Sequence, residues 1–133
     1  MKFQHQTTFG MPNGNCFATC MACILDLEVE QVPNFMLEGD EWFAAAQSWL
    51  SRRYKLRLLT LKWDSRANAA WGLGDTLCIA SGPASRGFMH SVVWQNGRLV
   101  YDPHPDGTGL IGEPEDYIVF LATDPAAGVG APL

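Results

Sequence analysis

Apolar residues recur at helical spacing in two separate stretches of the first half of the chain. The first stretch follows the turn-forming run 13–15 and continues from Cys16 to near Asp26, with Asn15 suited to cap its N-terminus. The second stretch follows Asp40, another residue type that caps helices, and its apolar positions repeat about every 3.6 residues. These positions are Trp42, Phe43, Ala46, Trp49 and Leu50. The pattern predicts two helices before residue 55.

From residue 56 onward the apolar residues come in short runs of strand length, separated by turn residues. The five runs span 56–61, 76–81, 89–94, 98–103 and 117–121. Residues 62–74 fit a short helix or a loop equally well. Helices followed by strands predict an α+β fold with an antiparallel sheet. We expect one domain over residues 1–124 and a flexible tail, rich in Gly, Ala and Pro, over residues 125–133.

Size and charge narrow the classes of function. The 133 residues suffice for one domain whose core needs no disulfide or metal. A net charge of −5 and the lack of a Lys/Arg run give nucleic-acid binding no electrostatic support. No apolar run approaches the about 20 residues of a membrane span, and the polar N-terminal sequence is unlike a signal peptide. We therefore expect a cytoplasmic protein with neither nucleic-acid nor membrane partners, and make no prediction of its oligomeric state.

Cys16 combines a reactive residue type with a reactive position. The first turn of a helix carries unpaired backbone N–H groups and the positive end of the helix dipole, and both stabilise a thiolate. A thiol placed there has a lowered pKa and is a nucleophile near neutral pH. The competing interpretation is a small, buried apolar residue, and we assign Cys20, Cys23 and Cys78 to it.

A histidine and an aspartate on two later strands complete a candidate catalytic set. His90 lies in the run 89–94, and Asp102 lies at the end of the run 98–103. A thiol, an imidazole and a carboxylate can act as nucleophile, general base and orienter of the base. Taken singly, His90 is better explained as a buried histidine, and Asp102 equally well as a turn residue. Their joint occurrence with Cys16 favours a cysteine hydrolase.

The connection between these two strands decides whether His90 and Asp102 lie on the same face of the sheet, because side chains alternate along a strand. A two-residue turn at Asn96 and Gly97 would put His90 and Asp102 on opposite faces. A three-residue loop over 95–97, with Gly97 left-handed in a bulge, would place them opposite each other with Cβ atoms about 5 Å apart. We therefore predict that three-residue loop or an equivalent bulge.

Two metal-binding patterns compete for the same cysteines. The spacing of Cys16, Cys20 and Cys23 matches the cluster ligands of radical S-adenosylmethionine enzymes, but the intervening residues predict an apolar helix, and the chain is too short for the large barrel of those enzymes. A zinc site using Cys16, Cys20 and a histidine lacks paired short Cys-x2-Cys knuckles. His104 is interpreted as a loop residue near the site and His5 as solvated. We predict no metal and no cofactor.

Three short segments together resemble the papain-like cysteine peptidase superfamily, and its small C39-like members most of all. They are Gly14-Asn15-Cys16, the His90 strand and Tyr101-Asp102-Pro103. The run 14–17 is also similar to the motif of ovarian-tumour deubiquitinases, a papain-like variant. The resemblance implies a papain-like fold, with the nucleophile helix and the second helix packed on the antiparallel sheet. It further implies that Cys16 is the nucleophile, His90 the general base and Asp102 the orienter.

The same superfamily places a glutamine before the cysteine, where its amide completes the oxyanion hole together with the cysteine N–H. Gln6 is the match in this chain, ten residues before Cys16, and it requires the loop 10–13 to fold back. Gln4 and Asn13 are substitutes for it.

Substrate contacts are expected around the same cleft. We predict that the loop 82–87 forms a cleft wall and that Ser85, Arg86 and Asn15 bind substrate. The guanidinium of Arg86 suits an acidic or carboxylate group.

The sequence therefore predicts a hydrolase that cleaves a peptide or isopeptide bond of a peptide or protein substrate through an acyl-thioester on Cys16. An amidase, a transglutaminase or an acyltransferase would use the same residues, because the thioester step is common to them. A binding module that kept the fold and lost turnover is the non-enzymatic alternative. A structural zinc or redox protein is the third possibility.

Overall fold

Two α-helices precede a five-stranded antiparallel sheet in the computed structural model, which describes residues 1–62 and 72–129. The helices are α1 (Cys16–Leu25) and α2 (Trp42–Tyr54), and the strands are β1 (Leu56–Lys62), β2 (Cys78–Pro83), β3 (Met89–Gln95), β4 (Arg98–Tyr101) and β5 (Asp116–Ala122). Short 3₁₀ segments span Val29–Gln31, Phe35–Glu41 and Pro125–Gly128. The predicted α+β class is confirmed, and each strand begins and ends within two residues of its predicted bounds.

The sheet has the strand order β1-β5-β2-β3-β4, so the last strand in sequence lies between the first and the second. Every neighbouring pair is antiparallel. The prediction for residues 62–74 falls largely on residues 63–71, and the end of the predicted tail on residues 130–133; both lie outside the described residues. Within the described ranges, no helix combines the length and the apolar character that crossing a membrane requires.

Helix α1 packs against β3 and β2, and α2 packs against β1. The core between helices and sheet contains buried side chains from both layers, among them Phe17, Met21, Leu50, Ile79 and Val93. The three cysteines assigned to buried apolar positions are fully buried and unpaired, as predicted: Cys20, Cys23 and Cys78. Cys16 alone of the four is partly exposed.

The predicted start of the second helix is one residue too early. Helix α2 begins at Trp42, with Glu41 rather than Asp40 at the capping position, and no side chain caps it. The 3₁₀ segment Phe35–Glu41 lies directly before α2. It is interrupted by a kink at Gly39 (φ 62°, ψ −131°), so the regular helix begins only after Glu41. Only glycine adopts such a conformation without strain, so the kink follows from the residue type.

The β3–β4 connection combines a tight turn with a bulge. Asn96 (φ 57°) and Gly97 (φ 73°) form a two-residue turn between the paired residues Gln95 and Arg98. The three-residue loop is therefore wrong, because Asn-Gly adopts two successive left-handed conformations at low cost. The equivalent bulge is confirmed: the register shifts between Val93 and Trp94, so Val93 pairs with Tyr101, Trp94 pairs with Leu99, and Val100 is the extra residue. The shift restores the alternation that brings Asp102 to the side of His90.

Candidate active site

Cys16 is the first residue of α1, and Asn15 fixes the chain just before it. The Asn15 side chain does not cap the helix. Its Oδ1 accepts hydrogen bonds from the backbone N–H groups of Thr7 and Thr8, both at 3.0 Å, and its Nδ2 donates to Thr7 Oγ1 at 2.9 Å. The Asn15 carbonyl accepts from the N–H of Thr19 at 2.9 Å and from its hydroxyl at 2.8 Å. Asn15 thus joins the N-terminal segment to the nucleophile helix.

The loop between Thr8 and Asn15 folds back on itself, as the use of Gln6 requires. The N–H of Gly14 donates to the carbonyl of Gly10 at 2.8 Å. A Cβ added at Gly14 would lie 2.6 Å from that carbonyl oxygen, so no other residue fits here without moving the loop. The hydroxyl of Thr8 closes the loop by donating to the carbonyl of Asn13 at 2.5 Å.

The folded loop brings Gln6 to the cleft that contains Cys16. Gln6 is 6% exposed; its N–H donates to the carbonyl of Pro103, and its Nε2 donates to the carbonyl of Thr8, both at 2.9 Å. Within the described part of the chain its Oε1 has no hydrogen-bond partner.

The two substitutes for Gln6 lie elsewhere. The amide of Gln4 binds the backbone of Leu27 and Val29, at 2.6 and 2.8 Å. Asn13 is exposed and does not line the cleft. Of the three candidates, Gln6 is the one beside Cys16.

His90 and Asp102 form a short, buried hydrogen bond, with His90 Nε2 and Asp102 Oδ1 2.6 Å apart. Their residues are 4% and 6% exposed. Two backbone N–H groups also hold the carboxylate: that of His104 donates to Oδ1 at 2.9 Å, and that of Gly109 donates to Oδ2 at 2.8 Å. Both carboxylate oxygens are therefore satisfied. Since Nε2 of His90 is taken by Asp102, the other ring nitrogen, Nδ1, is the one available to Cys16.

The local electrostatics favour charge on all three groups. Burial alone would raise the pKa of the Cys16 thiol, but hydrogen bonds from His90 and Ser91 and the charge of His90 together lower it. Burial disfavours the imidazolium too, yet the hydrogen bonds to Asp102 and Cys16 raise the pKa of His90 to about 9. Burial would also raise the pKa of Asp102, but bonds from His90, His104 and Gly109 lower it. These directions favour a thiolate, an imidazolium and a carboxylate.

The other cysteines differ from Cys16 in this respect. Burial raises the pKa of the Cys20, Cys23 and Cys78 thiols, in the last case to about 12. These three side chains remain thiols at neutral pH. Of the four cysteines, Cys16 is therefore the one at which the reactive thiolate is favoured.

Ser91 is a part of the site that sequence reasoning missed. It lines the same cleft as Cys16, and its backbone N–H and hydroxyl help to lower the pKa of the Cys16 thiol. Its Oγ lies 3.2 Å from Ser81 Oγ on the neighbouring strand. No property of a single serine identifies it in a sequence. The available signal was its position next to His90, because the strand that carries the imidazole also runs beside the thiol.

A cleft of about 620 Å³ opens in front of Cys16 and His90. Large apolar side chains dominate its walls, among them Phe9, Met11, Met36, Trp42, Phe88 and Met89. Arg86 also lines it, but its guanidinium is paired with Asp106 at 2.6 Å. Ser85 is exposed and lies outside the lining, as does the buried Asn15, so of the three expected substrate residues only Arg86 reaches the cleft.

His104 lies beside the site, as predicted for a loop residue. Its ring is 6.2 Å from that of His90 and 5.2 Å from that of Phe9, measured between centroids. Its Nδ1 accepts from the N–H of Asp106 at 3.1 Å. Among the described residues, no group of three or more His, Cys, Asp or Glu side chains is placed to hold a metal ion.

No family model, curated protein or solved structure matches this chain. What the protein does must therefore be inferred from its own side chains and their geometry.

Proposed function

We propose that the protein is a papain-like cysteine hydrolase that cleaves peptide or isopeptide bonds. One observation carries the proposal: a buried His90, held by Asp102 at 2.6 Å, lines the same cleft as a partly exposed cysteine at the start of a helix and lowers the pKa of its thiol. Each neighbour lowers the cost of charge on the next, so the arrangement favours a thiolate–imidazolium pair at the floor of a cleft.

Two half-reactions follow from this pair. The Cys16 thiolate attacks the carbonyl carbon of the substrate, and the tetrahedral intermediate collapses as His90 gives its Nδ1 proton to the departing amine. The acyl group is then bound to Cys16 as a thioester. His90, now neutral, takes a proton from water, the resulting hydroxide attacks the thioester, and the acid leaves while the thiolate and imidazolium are restored. Asp102 fixes the ring orientation and stabilises the imidazolium throughout.

The oxyanion of the tetrahedral intermediate needs hydrogen-bond donors. We assign these to the backbone N–H of Cys16 and to Gln6. An amide nitrogen carries two hydrogens, and the bond to Thr8 uses one of those on Nε2. The second is the one we assign to the oxyanion.

The cleft composition supports a substrate with bulky apolar side chains near the scissile bond. Phenylalanine, tryptophan and methionine side chains contribute much of its apolar surface. Arg86 is already neutralised by Asp106, so we do not propose it as a receptor for a substrate carboxylate. We also propose a cytoplasmic location, because four cysteines that the structure leaves unpaired suit a reducing compartment.

Alkylation by iodoacetamide between pH 4 and 9, with peptide mapping, tests the proposal without a known substrate. We expect Cys16 to react far faster than Cys20, Cys23 and Cys78, and to stay reactive well below the ordinary thiol pKa of about 8.5. Peptide and isopeptide amides with apolar side chains are then screened, with Cys16→Ala as the inactive control. An ordinary reactivity of Cys16, with no turnover, would favour the binding-module alternative.

A further inference from the structure

Arg86 is held by the loop that follows Asp102. Its Nη1 donates to Asp106 Oδ2 at 2.6 Å and to Thr108 Oγ1 at 3.3 Å. Asp106 Oδ1 accepts from the backbone N–H of Thr108 at 3.0 Å and from its hydroxyl at 3.1 Å. The guanidinium thus fixes the middle of residues 103–109, which we name the 103–109 loop.

The same loop supplies both backbone donors that hold Asp102. The N–H of His104 binds Oδ1, and the N–H of Gly109 binds Oδ2. Inside the loop, the N–H of Asp106 donates to His104 Nδ1 at 3.1 Å. Hydrogen bonds therefore continue from Arg86 through the loop to the carboxylate that orients His90.

The other end of this connection is equally well anchored. Arg86 lies in the turn that joins β2 to β3, the strand of His90. In that turn the N–H of Ala84 donates to the carbonyl of Phe88 at 2.9 Å, and the N–H of Gly87 donates to the carbonyl of Ala84 at 3.0 Å. Arg86 therefore spans from the strand that carries the base to the loop that holds the partner of the base.

We propose that Arg86 and Asp106 are positioning residues for the Asp102 carboxylate. Their ion pair fixes the 103–109 loop so that its N–H groups keep Asp102 directed at His90. The inference rests on the proposed function, because Asp102 serves catalysis only if His90 serves Cys16. It gives Arg86 a role different from the substrate contact predicted from the sequence.

Two substitutions remove the ion pair with little other change. Arg86→Met keeps the length of the side chain. Asp106→Asn keeps the Oδ1 that binds Thr108 and replaces the Oδ2 that binds Arg86. A less firmly held Asp102 stabilises the His90 imidazolium less, and the Cys16 thiolate with it. We expect each variant to slow alkylation of Cys16 at pH 6 by about 3- to 10-fold, with little change at pH 9.

If the two residues act through their ion pair, two further results are expected. The double variant Arg86→Met/Asp106→Asn should be no slower than either single variant, because residues that act through one contact are not additive. Arg86→Lys, which can still pair with Asp106, should recover most of the rate. The exposed Arg57 on β1 provides the control, and Arg57→Met should match the wild type. Wild-type profiles for Arg86→Met and Asp106→Asn, or a loss of thermal stability with an unchanged pH profile, would overturn the inference.

A second measurement separates this inference from the proposed function. In the Cys16→Ala protein, the titratable groups that contact the His90 ring among the described residues are Asp102 and His104. NMR titration of the imidazole carbons should give a lower midpoint for His90 when Arg86→Met is added, and Arg57→Met should leave that midpoint unchanged. An unchanged midpoint overturns the positioning role even if Cys16 is catalytic. A lowered midpoint together with an unreactive Cys16 supports the positioning role and refutes only the hydrolase.

Discussion

The two sides of the candidate active site differ in how completely their polar atoms are bonded. On the base side, three N–H groups at 2.6–2.9 Å occupy both oxygens of Asp102. On the thiol side, Gln6 Nε2 is bonded, but its buried Oε1 has no partner within the described residues. A buried acceptor without a partner costs about 1–3 kcal/mol, whereas a satisfied one does not. The base side is complete before substrate arrives, and the thiol side is not.

This difference follows from how each side is built. The base side is a hairpin and a short loop, in which backbone N–H groups are held by regular pairing and by turns. The thiol side depends on a folded-back segment that reaches Cys16 through Asn15 and Gly14. We infer that the base side supplies fixed electrostatics, while the thiol side keeps the second Nε2 hydrogen of Gln6 for the oxyanion of the reacting group.

Cys16→Ala has the largest expected effect, because it removes the nucleophile that both sides serve. Turnover should fall by about a thousandfold or more, to the background of the assay. Alkylation at position 16 should disappear, while the slow labelling of the other cysteines remains. Turnover of an apolar peptide amide by the variant is the deciding measurement, and full activity would refute the assignment of the nucleophile. Cys23→Ala, which changes a cysteine away from the cleft, is the comparison for any general effect on the fold.

Asp102→Asn tests the completeness of the base side. The amide has only one acceptor oxygen for three donors, so at least one N–H group faces an NH₂ group in either orientation. We expect turnover to fall by about a hundredfold or more, because the tautomer and orientation of His90 are no longer fixed. Stability should also fall by about 1–3 kcal/mol in urea denaturation.

Asp124→Asn is the matched control for this change. Asp124 is exposed and accepts from the N–H of Ala126 at 3.1 Å, a bond that the amide oxygen retains. Its effect on stability should stay within about 0.5 kcal/mol. An equal loss in the two variants would mean that the hydrogen bonds of Asp102 are not special.

The charge of His90 predicts a pH dependence of stability. The pKa of His90 is raised in the folded protein to about 9, above the value of about 6.5 in an unfolded chain. Its contribution is therefore fully present below pH 6.5 and is lost as the pH rises through 9. Compared with His90→Gln, the wild type should lose about 1–3 kcal/mol of relative stability between pH 6 and pH 10. Urea denaturation of both proteins at the two pH values measures this, and a constant difference would contradict a charged His90.

The base side was also the more predictable side from the sequence. Alternation along two strands required a bulge if His90 and Asp102 were to meet, and the register shifts between Val93 and Trp94. The position of the bulge was not predictable. Asn96-Gly97 forms a tight two-residue turn, and the register shifts only after two further pairs, Gln95 with Arg98 and Trp94 with Leu99. The bonds of Asp102 to the backbone of His104 and Gly109 were not predictable either, since any residue type supplies an N–H group.

On the thiol side, the sequence predicted the position of the nucleophile but not the long-range contacts around it. Cys16 was placed correctly at the first turn of its helix. Asn15 was expected to cap that helix, yet its side chain binds Thr7 and Thr8, because a long-range partner replaces the local one once the N-terminal segment packs beside it. Arg86 was interpreted as a free cation, since a sequence does not reveal that Asp106 lies 2.6 Å away.

Gln6→Met gives the smallest and most informative effect, because it separates catalysis from stability on the thiol side. Methionine has a similar length and removes both the proposed oxyanion donor and the unpartnered Oε1. We expect turnover to fall by about tenfold or more, because the variant keeps the nucleophile but loses one hydrogen-bond donor to the oxyanion of the transition state. The free energy of unfolding should change by no more than about 1 kcal/mol, because the lost bond to Thr8 is offset by removal of a buried acceptor without a partner. Asp102→Asn should instead lose both activity and stability. If Gln6→Met lost stability as Asp102→Asn does, the two sides would be equally complete, and the difference between them would have no functional meaning.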